Sequence, residues 1–172
     1  MAWTLLLAAG QGNRLASATG GLAKQFLDWK GAPLYWESTL VFSRCARVEG
    51  LVFVFPEACI DEERERVAGL MRNASLGIPW KVVAGGALRQ DSVRNGLSAL
   101  PDDCMEVLIH DAARPFVSPV LVNRILDGLH GEASGECVAA CIPGIPVVDT
   151  IKVMDEEKKV VATPDRKHLI AV

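Results

Sequence analysis

The chain has 172 residues with a formal net charge of −3, and half of them are hydrophobic. This length and balance are those of one soluble globular domain, and the weak acidity excludes a general nucleic-acid or membrane-surface binder, so we expect neither partner. No apolar run approaches the roughly 20 residues needed to cross a bilayer, and the amino-terminal run reads as a first strand rather than a signal peptide.

Short apolar runs alternate with longer amphipathic runs. The apolar runs predict strands at Ala2–Ala9, Leu51–Phe55, Trp80–Ala84, Met105–Ile109 and Cys137–Ile142. The amphipathic runs predict helices at Pro33–Ala46, Glu57–Arg72, Arg89–Leu100 and Pro119–Leu129, and Pro33 and Pro119 suit a first helical turn. Strands that are apolar throughout and separated by helices predict an α/β, Rossmann-like fold with a mostly parallel sheet covered on both faces.

The last part of the chain has a different pattern. In Thr150–Thr163 two β-rich runs flank a polar turn at Asp155–Lys158, which predicts a hairpin. We therefore expect one domain over residues 1–172, with a projecting arm at 143–163. Because an isolated hairpin is only marginally stable, we expect this arm to pair with that of a second subunit in a two-fold dimer.

A glycine-containing loop, "AAGQGNRL", follows the first predicted strand. A dinucleotide-binding fingerprint is excluded because Leu15 occupies its third glycine position, and a phosphate-binding NTPase loop is excluded because the chain has no Gly-Lys pair. One remaining interpretation is an anion-binding nest around Gly10 and Gly12, with Arg14 and Lys24 supplying positive charge. The alternative is a solvated turn.

The motif "HDAARPF" lies at the end of another predicted strand. Asp111 offers the hard oxygen ligand that Mg²⁺ prefers, and the alanines after it leave room for a ligand. Pro115 biases Arg114 toward an extended conformation that suits a phosphate contact. The alternative is a simple pair between Asp111 and Arg114. We expect His110 to be packed and hydrogen-bonded, without chemistry of its own.

A third loop, "AGGALRQDS", also follows a predicted strand. Gly85 and Gly86 let the chain pass close to a flat ligand, and Asp91 and Ser92 open the next helix, although a capped glycine turn is an alternative. Ligands of such sheets bind beyond the carboxyl ends of the strands. The three loops together therefore predict a site for a nucleotide and its phosphates.

The motifs "AAGQGNRL…KQF", "GGALRQDSV", "HDAARPF", "DTIKV" and "TPDR" resemble, in order and approximate spacing, those of 2-C-methyl-D-erythritol 4-phosphate cytidylyltransferases of the non-mevalonate isoprenoid pathway. The resemblance implies a Mg²⁺-dependent transfer of CMP from CTP to methylerythritol phosphate by a homodimer. It assigns to the CTP site Ala8, Ala9, Gly10, Gly12, Gly86, Ser92, Asp111 and Ala112. It gives catalytic roles to Arg14, Lys24 and Arg166. Asp111 would hold the metal, and Asp111, Arg114, Thr150 and a partner's Arg166 would face the polyol phosphate.

The chain departs from this pattern at several positions. Leu7 and Ala23 stand where the family usually has proline, Ala87 replaces a common acidic residue, and the loop Ala16–Ala23 is longer than typical. The family also continues past the position of Val172 with further motif residues. We therefore expect a C-terminally truncated form that binds CTP but turns over poorly.

The implied chemistry needs no general base. A phosphate monoester, with a second pKa near 6, is mostly dianionic at neutral pH, so its oxygen can attack the α-phosphorus of CTP directly. Two alternatives stay open: a cytidylyltransferase for another polyol phosphate, such as ribitol 5-phosphate, and a non-catalytic nucleotide-binding module. The odd number of scattered cysteines (Cys45, Cys59, Cys104, Cys137, Cys141), without zinc-site spacing, predicts reduced thiols in a cytoplasmic protein.

Overall fold

The computed structural model describes residues 1–10, 22–132 and 135–172. These residues form two compact units, Met1–Pro119 and Val120–Val172. The expectation of a single domain with a projecting arm at 143–163 stays a prediction. Within the described parts of the chain, no helix combines the length and apolar character needed to cross a membrane.

The first unit carries the longer strands and helices. Its strands are β1 (Ala2–Leu7), β2 (Asp28–Trp29), β3 (Ala32–Pro33), β4 (Val48–Phe55), β5 (Trp80–Ala84) and β6 (Glu106–Asp111). Its helices are α1 (Tyr35–Ser43), α2 (Ile60–Asn73) and α3 (Arg89–Leu97), with 3-10 turns at Lys24–Phe26 and Glu57–Cys59. Helix α4 (Pro119–Leu129) begins at the boundary of the units and matches its predicted range.

Four of these strands form a parallel sheet in the order β5-β4-β1-β6. Alternate residues of β1, such as Leu5, face α3, where Gly96 lets the helix approach the side chains of Leu5 and Val54 closely. The opposite face packs against α1, with Tyr35 against Phe53. Because both faces are covered, β1 and β4 in the middle of the sheet are almost entirely apolar. The predicted Rossmann-like α/β fold is confirmed.

Tyr35 links the sheet to two helices. Its ring packs against Phe53 and Phe55, and its hydroxyl donates a 2.8 Å hydrogen bond to Glu63 of α2. Glu63 also forms a 2.8 Å ion pair with Arg66. Burial raises the pKa of Glu63 despite both partners. The carboxyl group is nevertheless paired, which is the condition for tolerating it in a core.

The prediction that Pro33 lies in the first turn of a helix is wrong. Pro33 belongs to β3, which pairs with β2 in a short hairpin, and α1 begins only at Tyr35. The turn of this hairpin has positive φ at Lys30 and Gly31 (56° and 82°), and the Gly31 N–H donates to the Asp28 carboxylate. Two consecutive positive φ values are the requirement of a tight hairpin turn, so local turn chemistry decided the structure here.

The strand predicted at Cys137–Ile142 is also wrong. These residues are irregular and mostly exposed. The Val138 N–H donates to the backbone carbonyl of Leu129, and the Cys137 thiol donates to the backbone carbonyl of His130. The segment is therefore bonded to the carboxyl end of α4. An apolar run forms a strand only when a neighbouring strand offers its N–H and C=O groups, and no described strand does so here.

The described strands of the second unit are short. Strand β7 (Ile145–Pro146) pairs antiparallel with β10 (Ile170–Ala171), and β8 (Val153–Met154) pairs with β9 (Val160–Ala162). A 3-10 turn covers Arg166–His168. The β8–β9 pair is closed by the Asp155 N–H, which donates to the Lys159 carbonyl. The hairpin predicted within Thr150–Thr163 is therefore present.

Candidate functional site

The carboxyl ends of the strands meet at one edge of the sheet. Backbone hydrogen bonds continue one residue beyond three strands: Ala8 N to Val54 O (2.8 Å), Gly85 N to Phe55 O (2.7 Å) and Ala112 N to Leu7 O (3.0 Å). Each loop therefore leaves the sheet in a fixed direction. The three loops that the sequence singled out start at this common edge.

The loop after β5 approaches the end of β1 so closely that only glycine fits. A Cβ atom on Gly85 would lie 2.3 Å from the Ala9 Cβ and 2.9 Å from the Ser92 Oγ. One on Gly86 would lie 2.3 Å from the Asp91 Cβ. Real Cβ atoms do not approach that closely, so the two glycines let Ala9 and α3 converge.

Asp91 and Ser92 hold this loop at the start of α3, as predicted. The Asp91 carboxylate accepts the Leu88 N–H at 3.1 Å. The Ser92 hydroxyl accepts the Gly86 N–H at 3.0 Å and donates to the Leu88 carbonyl at 3.3 Å. Ser92 is buried. Its contact with a nucleotide stays a prediction, and what is visible is its part in forming the loop.

Asp111, the last residue of β6, is held by two arginines. Arg89 donates from Nε (3.2 Å) and Nη2 (2.9 Å) to Oδ1, while Arg114 Nε lies 3.7 Å from Oδ2. Both guanidinium groups are largely exposed, so each pair contributes at most about 1 kcal/mol to stability. The three side chains carry one net positive charge, which suits a phosphate-binding edge.

The sequence analysis missed Arg89. It is the first residue of α3 and follows the double-glycine loop, which was the only available signal. Its contact with Asp111 joins residues that are 22 positions apart.

His110 is packed and hydrogen-bonded, as expected. Its ring lies 5.0 Å from that of Phe42, and Nε2 is 2.9 Å from the Arg114 carbonyl. A carbonyl only accepts, so Nε2 carries the proton. Burial lowers the pKa of His110, which keeps the ring neutral at physiological pH. The residue fixes the backbone that carries Arg114.

Lys24 is exposed at the start of its 3-10 turn. The next residue, Gln25, is buried and donates to the carbonyls of Ala8 and Gly10 at the end of β1. The sequence analysis did not single out Gln25, which stood in the quoted "KQF" without a role. Gly12 and Arg14 lie outside the described residues.

Thr150 and Arg166 belong to the second unit and are exposed. The Arg166 guanidinium donates a 2.6 Å hydrogen bond to the carbonyl of Val148, two residues before Thr150. Asp165 accepts the Lys167 N–H at 3.0 Å and so caps the turn that carries Arg166. These contacts bring the segments of the two predicted residues together within that unit.

Fold and site together define an α/β domain with a Rossmann-like parallel sheet and a small-residue, positively charged edge at the carboxyl ends of its strands. The family model described as IspD, 2-C-methyl-D-erythritol 4-phosphate cytidylyltransferase, matches residues 2–172. The chain belongs to this family.

Similar proteins agree with this membership. The chain is 52% identical over 170 residues to a bifunctional enzyme IspD/IspF of Oleidesulfovibrio alaskensis, covering 99% of this chain and 41% of that protein. It is 33% identical over 168 residues to a 2-C-methyl-D-erythritol 4-phosphate cytidylyltransferase of Clostridium botulinum, covering 98% of this chain and 68% of the relative. The chain thus spans about two fifths of the length of its bifunctional relatives.

The fold recurs in solved structures. The crystal structure of 4-diphosphocytidyl-2C-methyl-D-erythritol synthase from Anaerococcus prevotii superposes with a TM-score of 0.77 at 22% identity, covering 99% of this chain and 67% of that one. At this identity the likeness supports the fold.

Proposed function

We propose that the protein transfers CMP from CTP to 2-C-methyl-D-erythritol 4-phosphate, releasing pyrophosphate and forming 4-diphosphocytidyl-2-C-methyl-D-erythritol. The observation that carries this proposal is the convergence of three loops at one sheet edge in a chain of the IspD family. Ala8, Gly85 and Ala112 follow directly on three different strands there. Fold alone would not carry the proposal, because one fold hosts many activities.

We assign the cytosine and ribose to the ends of β1 and β5. Ala8, Ala9 and Gly10 leave β1, and Gly85 and Gly86 leave β5, with no side chain larger than a methyl group. The backbone N–H and C=O groups of this edge that are not already bonded to Val54, Phe55, Ser92 or Gln25 are therefore accessible to a flat ring. A site built to hydrogen-bond one group rejects analogues that lack it by large factors, so we expect CTP to be preferred to UTP.

We assign the triphosphate to Gly12, Arg14 and Lys24. The polyol phosphate is its own nucleophile, so catalysis reduces to aligning it with the α-phosphorus and neutralising charge on that phosphorus and on the leaving pyrophosphate. The exposed Lys24 amine and the Arg14 guanidinium supply that charge. No proton transfer is needed in this step.

Asp111 is the proposed Mg²⁺ ligand. The fit is supported by its donor set, which is one partly exposed carboxylate at an edge that suits phosphates. In the part of the chain that the structure describes, the contact of its Oδ2 is the 3.7 Å one with Arg114. Mg²⁺ usually takes one or two carboxylates together with substrate phosphates and water. Among the described residues no group of three or more His, Cys, Asp or Glu could hold a metal. Bound there, the ion would neutralise phosphate charge.

We assign Asp111, Arg114, Thr150 and Arg166 to the methylerythritol phosphate, as the family resemblance implies. The family resemblance supports Arg166 acting from a partner subunit, and hence a homodimer through the hairpin. The exposed Val153, Met154 and Val160 of that hairpin support such a pairing, because exposed apolar strand residues favour association. The five free cysteines are consistent with a cytoplasmic location, which is part of the same proposal.

A pyrophosphate-release assay tests the proposal. Each of the four nucleoside triphosphates is offered with methylerythritol phosphate or ribitol phosphate, in the presence of Mg²⁺. We expect the fastest release with CTP and methylerythritol phosphate. Equal turnover of UTP and CTP would contradict the assigned base site, faster release with ribitol phosphate would indicate the other polyol, and no release despite CTP binding would indicate a non-catalytic module.

A further inference from the structure

Gln25 is an unusual residue for its position. It lies in a short turn directly after the exposed Lys24, and yet the residue is only 3% exposed. Burying an amide costs free energy unless its hydrogens find acceptors. The contacts that compensate for this burial therefore indicate what the residue does.

Both acceptors of the Gln25 amide lie at the end of β1. Nε2 is 2.6 Å from the Ala8 carbonyl and 2.7 Å from the Gly10 carbonyl, on either side of Ala9. Two carbonyl oxygens only accept, so the nitrogen and not the oxygen of the amide must face them. The two bonds join the end of β1 to a turn that is 15 to 17 residues further along the chain.

The same turn is fixed on its other side by Phe26. Its ring centroid lies 6.0 Å from that of Phe55 and 6.3 Å from that of Tyr35, within the core against α1. The Leu27 N–H closes the turn by donating to the Lys24 carbonyl at 3.2 Å. The backbone of Lys24 is therefore held by its two successors, while its side chain is free to extend into solvent.

We propose that Gln25 is a positioning residue that sets the location of Lys24 relative to the end of β1. The inference rests on the proposed function, in which the end of β1 contacts the nucleoside and Lys24 its phosphates. Lysine is a point charge on a flexible stem, so only its backbone can be pre-positioned. A shift of the backbone of about 1 Å can cost as much as a hundredfold in rate when charge must meet a transition state.

The first experiment compares Gln25→Met with Val67→Ala in the full chain. Methionine has a similar shape and volume but cannot donate, whereas Val67 is a fully buried residue of α2 whose truncation lowers stability elsewhere. We expect Gln25→Met to lower kcat roughly tenfold to a hundredfold, with little change in the KM for CTP. Val67→Ala should retain the wild-type kcat when it is assayed well below its melting temperature. Equal loss of kcat in both variants would mean that Gln25 acts through stability and would overturn the proposal.

A double-mutant cycle with Lys24→Ala tests the route of the effect. If Gln25 acts through Lys24, Gln25→Met should lower kcat by no more than about twofold in the Lys24→Ala background, because the group it positions is gone. Full additivity of the two losses would overturn the proposal. So would a Lys24→Ala variant without any defect.

Gln25→Glu keeps the test available if Gln25→Met does not fold. A carboxylate has no hydrogen to offer two carbonyls, whereas its protonated form can donate one. The kcat of Gln25→Glu relative to wild type should therefore recover partly between about pH 8 and about pH 6. A ratio that is independent of pH in a folded variant would count against positioning by the amide hydrogens.

Binding of inorganic triphosphate separates this inference from the proposed function. Calorimetry on the four proteins of the cycle measures whether Gln25 and Lys24 are coupled without any nucleotide chemistry. Coupled losses of affinity, in a protein that fails to turn over CTP, would refute the proposed function and support the positioning role. Turnover of CTP together with independent losses of triphosphate affinity would support the proposed function and overturn the positioning role of Gln25.

Discussion

In Met1–Pro119 most candidate residues stand at the ends of parallel strands of five or six residues, whereas in Val120–Val172 they lie beside strands of only two or three. Gly85, Ser92 and Asp111 are each held by several contacts from other elements. Thr150 and Arg166 are exposed, and the Arg166 side chain has one described hydrogen bond. A core that is covered on both faces can thus pre-form the proposed nucleotide site, while the proposed polyol residues depend on a lightly constrained segment.

The largest expected effect is that of Lys24→Ala, on the nucleotide side of this comparison. Losing one preorganised charge should lower kcat roughly 100-fold to 1,000-fold, and Arg14→Ala should behave alike. Arg72→Ala is the matched control, because Arg72 lies in the last turn of α2, after which the chain enters β5 at its amino end, so it lies toward the opposite edge of the sheet. Steady-state kinetics check this. A Lys24→Ala enzyme with the control's kcat would remove Lys24 from the site.

Arg166→Ala tests whether the second unit acts on the polyol phosphate alone. A hydrogen bond from a charged group to phosphate contributes about 1.5–3 kcal/mol, so the KM for methylerythritol phosphate should rise about tenfold to a hundredfold. The KM for CTP should stay within about twofold. Lys167→Ala, which removes a neighbouring exposed charge, should change neither. Equal increases of the KM for CTP and the KM for methylerythritol phosphate would contradict the assignment of Arg166 to the polyol phosphate.

Gly85→Ala tests how tightly the pre-formed edge is packed. The new methyl group would lie 2.3 Å from the Ala9 Cβ, and overpacking of this kind costs about 1–3 kcal/mol. Gly69→Ala is the matched substitution within α2, where the added Cβ meets nothing, and it should raise stability by about 1 kcal/mol. Urea denaturation measures both. If Gly85→Ala did not lower the free energy of unfolding while Gly69→Ala raised it, the loop after β5 would be able to shift and accommodate the methyl group.

The smallest expected effect concerns His110 and pH. Its pKa in the folded chain lies below the usual 6.5 because of burial, so between those two values the unfolded chain binds more protons. The contribution of His110 to the free energy of unfolding is therefore complete above about pH 6.5 and is lost as the pH drops through the folded pKa. Relative to His110→Gln, the wild type should lose unfolding free energy on acidification. Glu63, whose pKa is raised, contributes the opposite pH dependence. Because Glu63 is present in both proteins, its contribution cancels when their unfolding free energies are subtracted. Parallel curves for the two proteins would contradict the packed, neutral ring.

Much of the fold followed from local patterns. Strand β5 and helix α4 match their predicted ranges, because the first is a compact apolar run and the second begins at a proline suited to a first turn. Pro33 was misread because the positive φ values at Lys30 and Gly31 made a hairpin instead. Cys137–Ile142 was misread because a strand also needs a neighbour, which a local pattern does not contain.

The candidate site was predicted at the level of its loops but not of its supports. Asp111 and the Gly85–Gly86 pair could be singled out because a carboxylate and two glycines at strand ends suit a ligand site, although an ion pair and a capped turn were the alternatives. Gln25 and Arg89 were missed, since each acts through a partner 15 or more residues away and neither residue type is distinctive in a turn or on a helix surface.

The side chains of β6 alternate between the two faces of the sheet, and this alternation constrains which insertions and deletions the strand can tolerate. His110 is directed to the side of Phe42 and its neighbour Asp111 to the side of Arg89, on opposite faces of the sheet. Inserting or deleting a single codon within Glu106–Asp111 would exchange the two faces, placing a carboxylate against an aromatic ring. A change of two codons would keep the faces but move the carboxylate by about 7 Å along the strand. We therefore expect length to be invariant in this strand, even at positions where the side chain itself can vary.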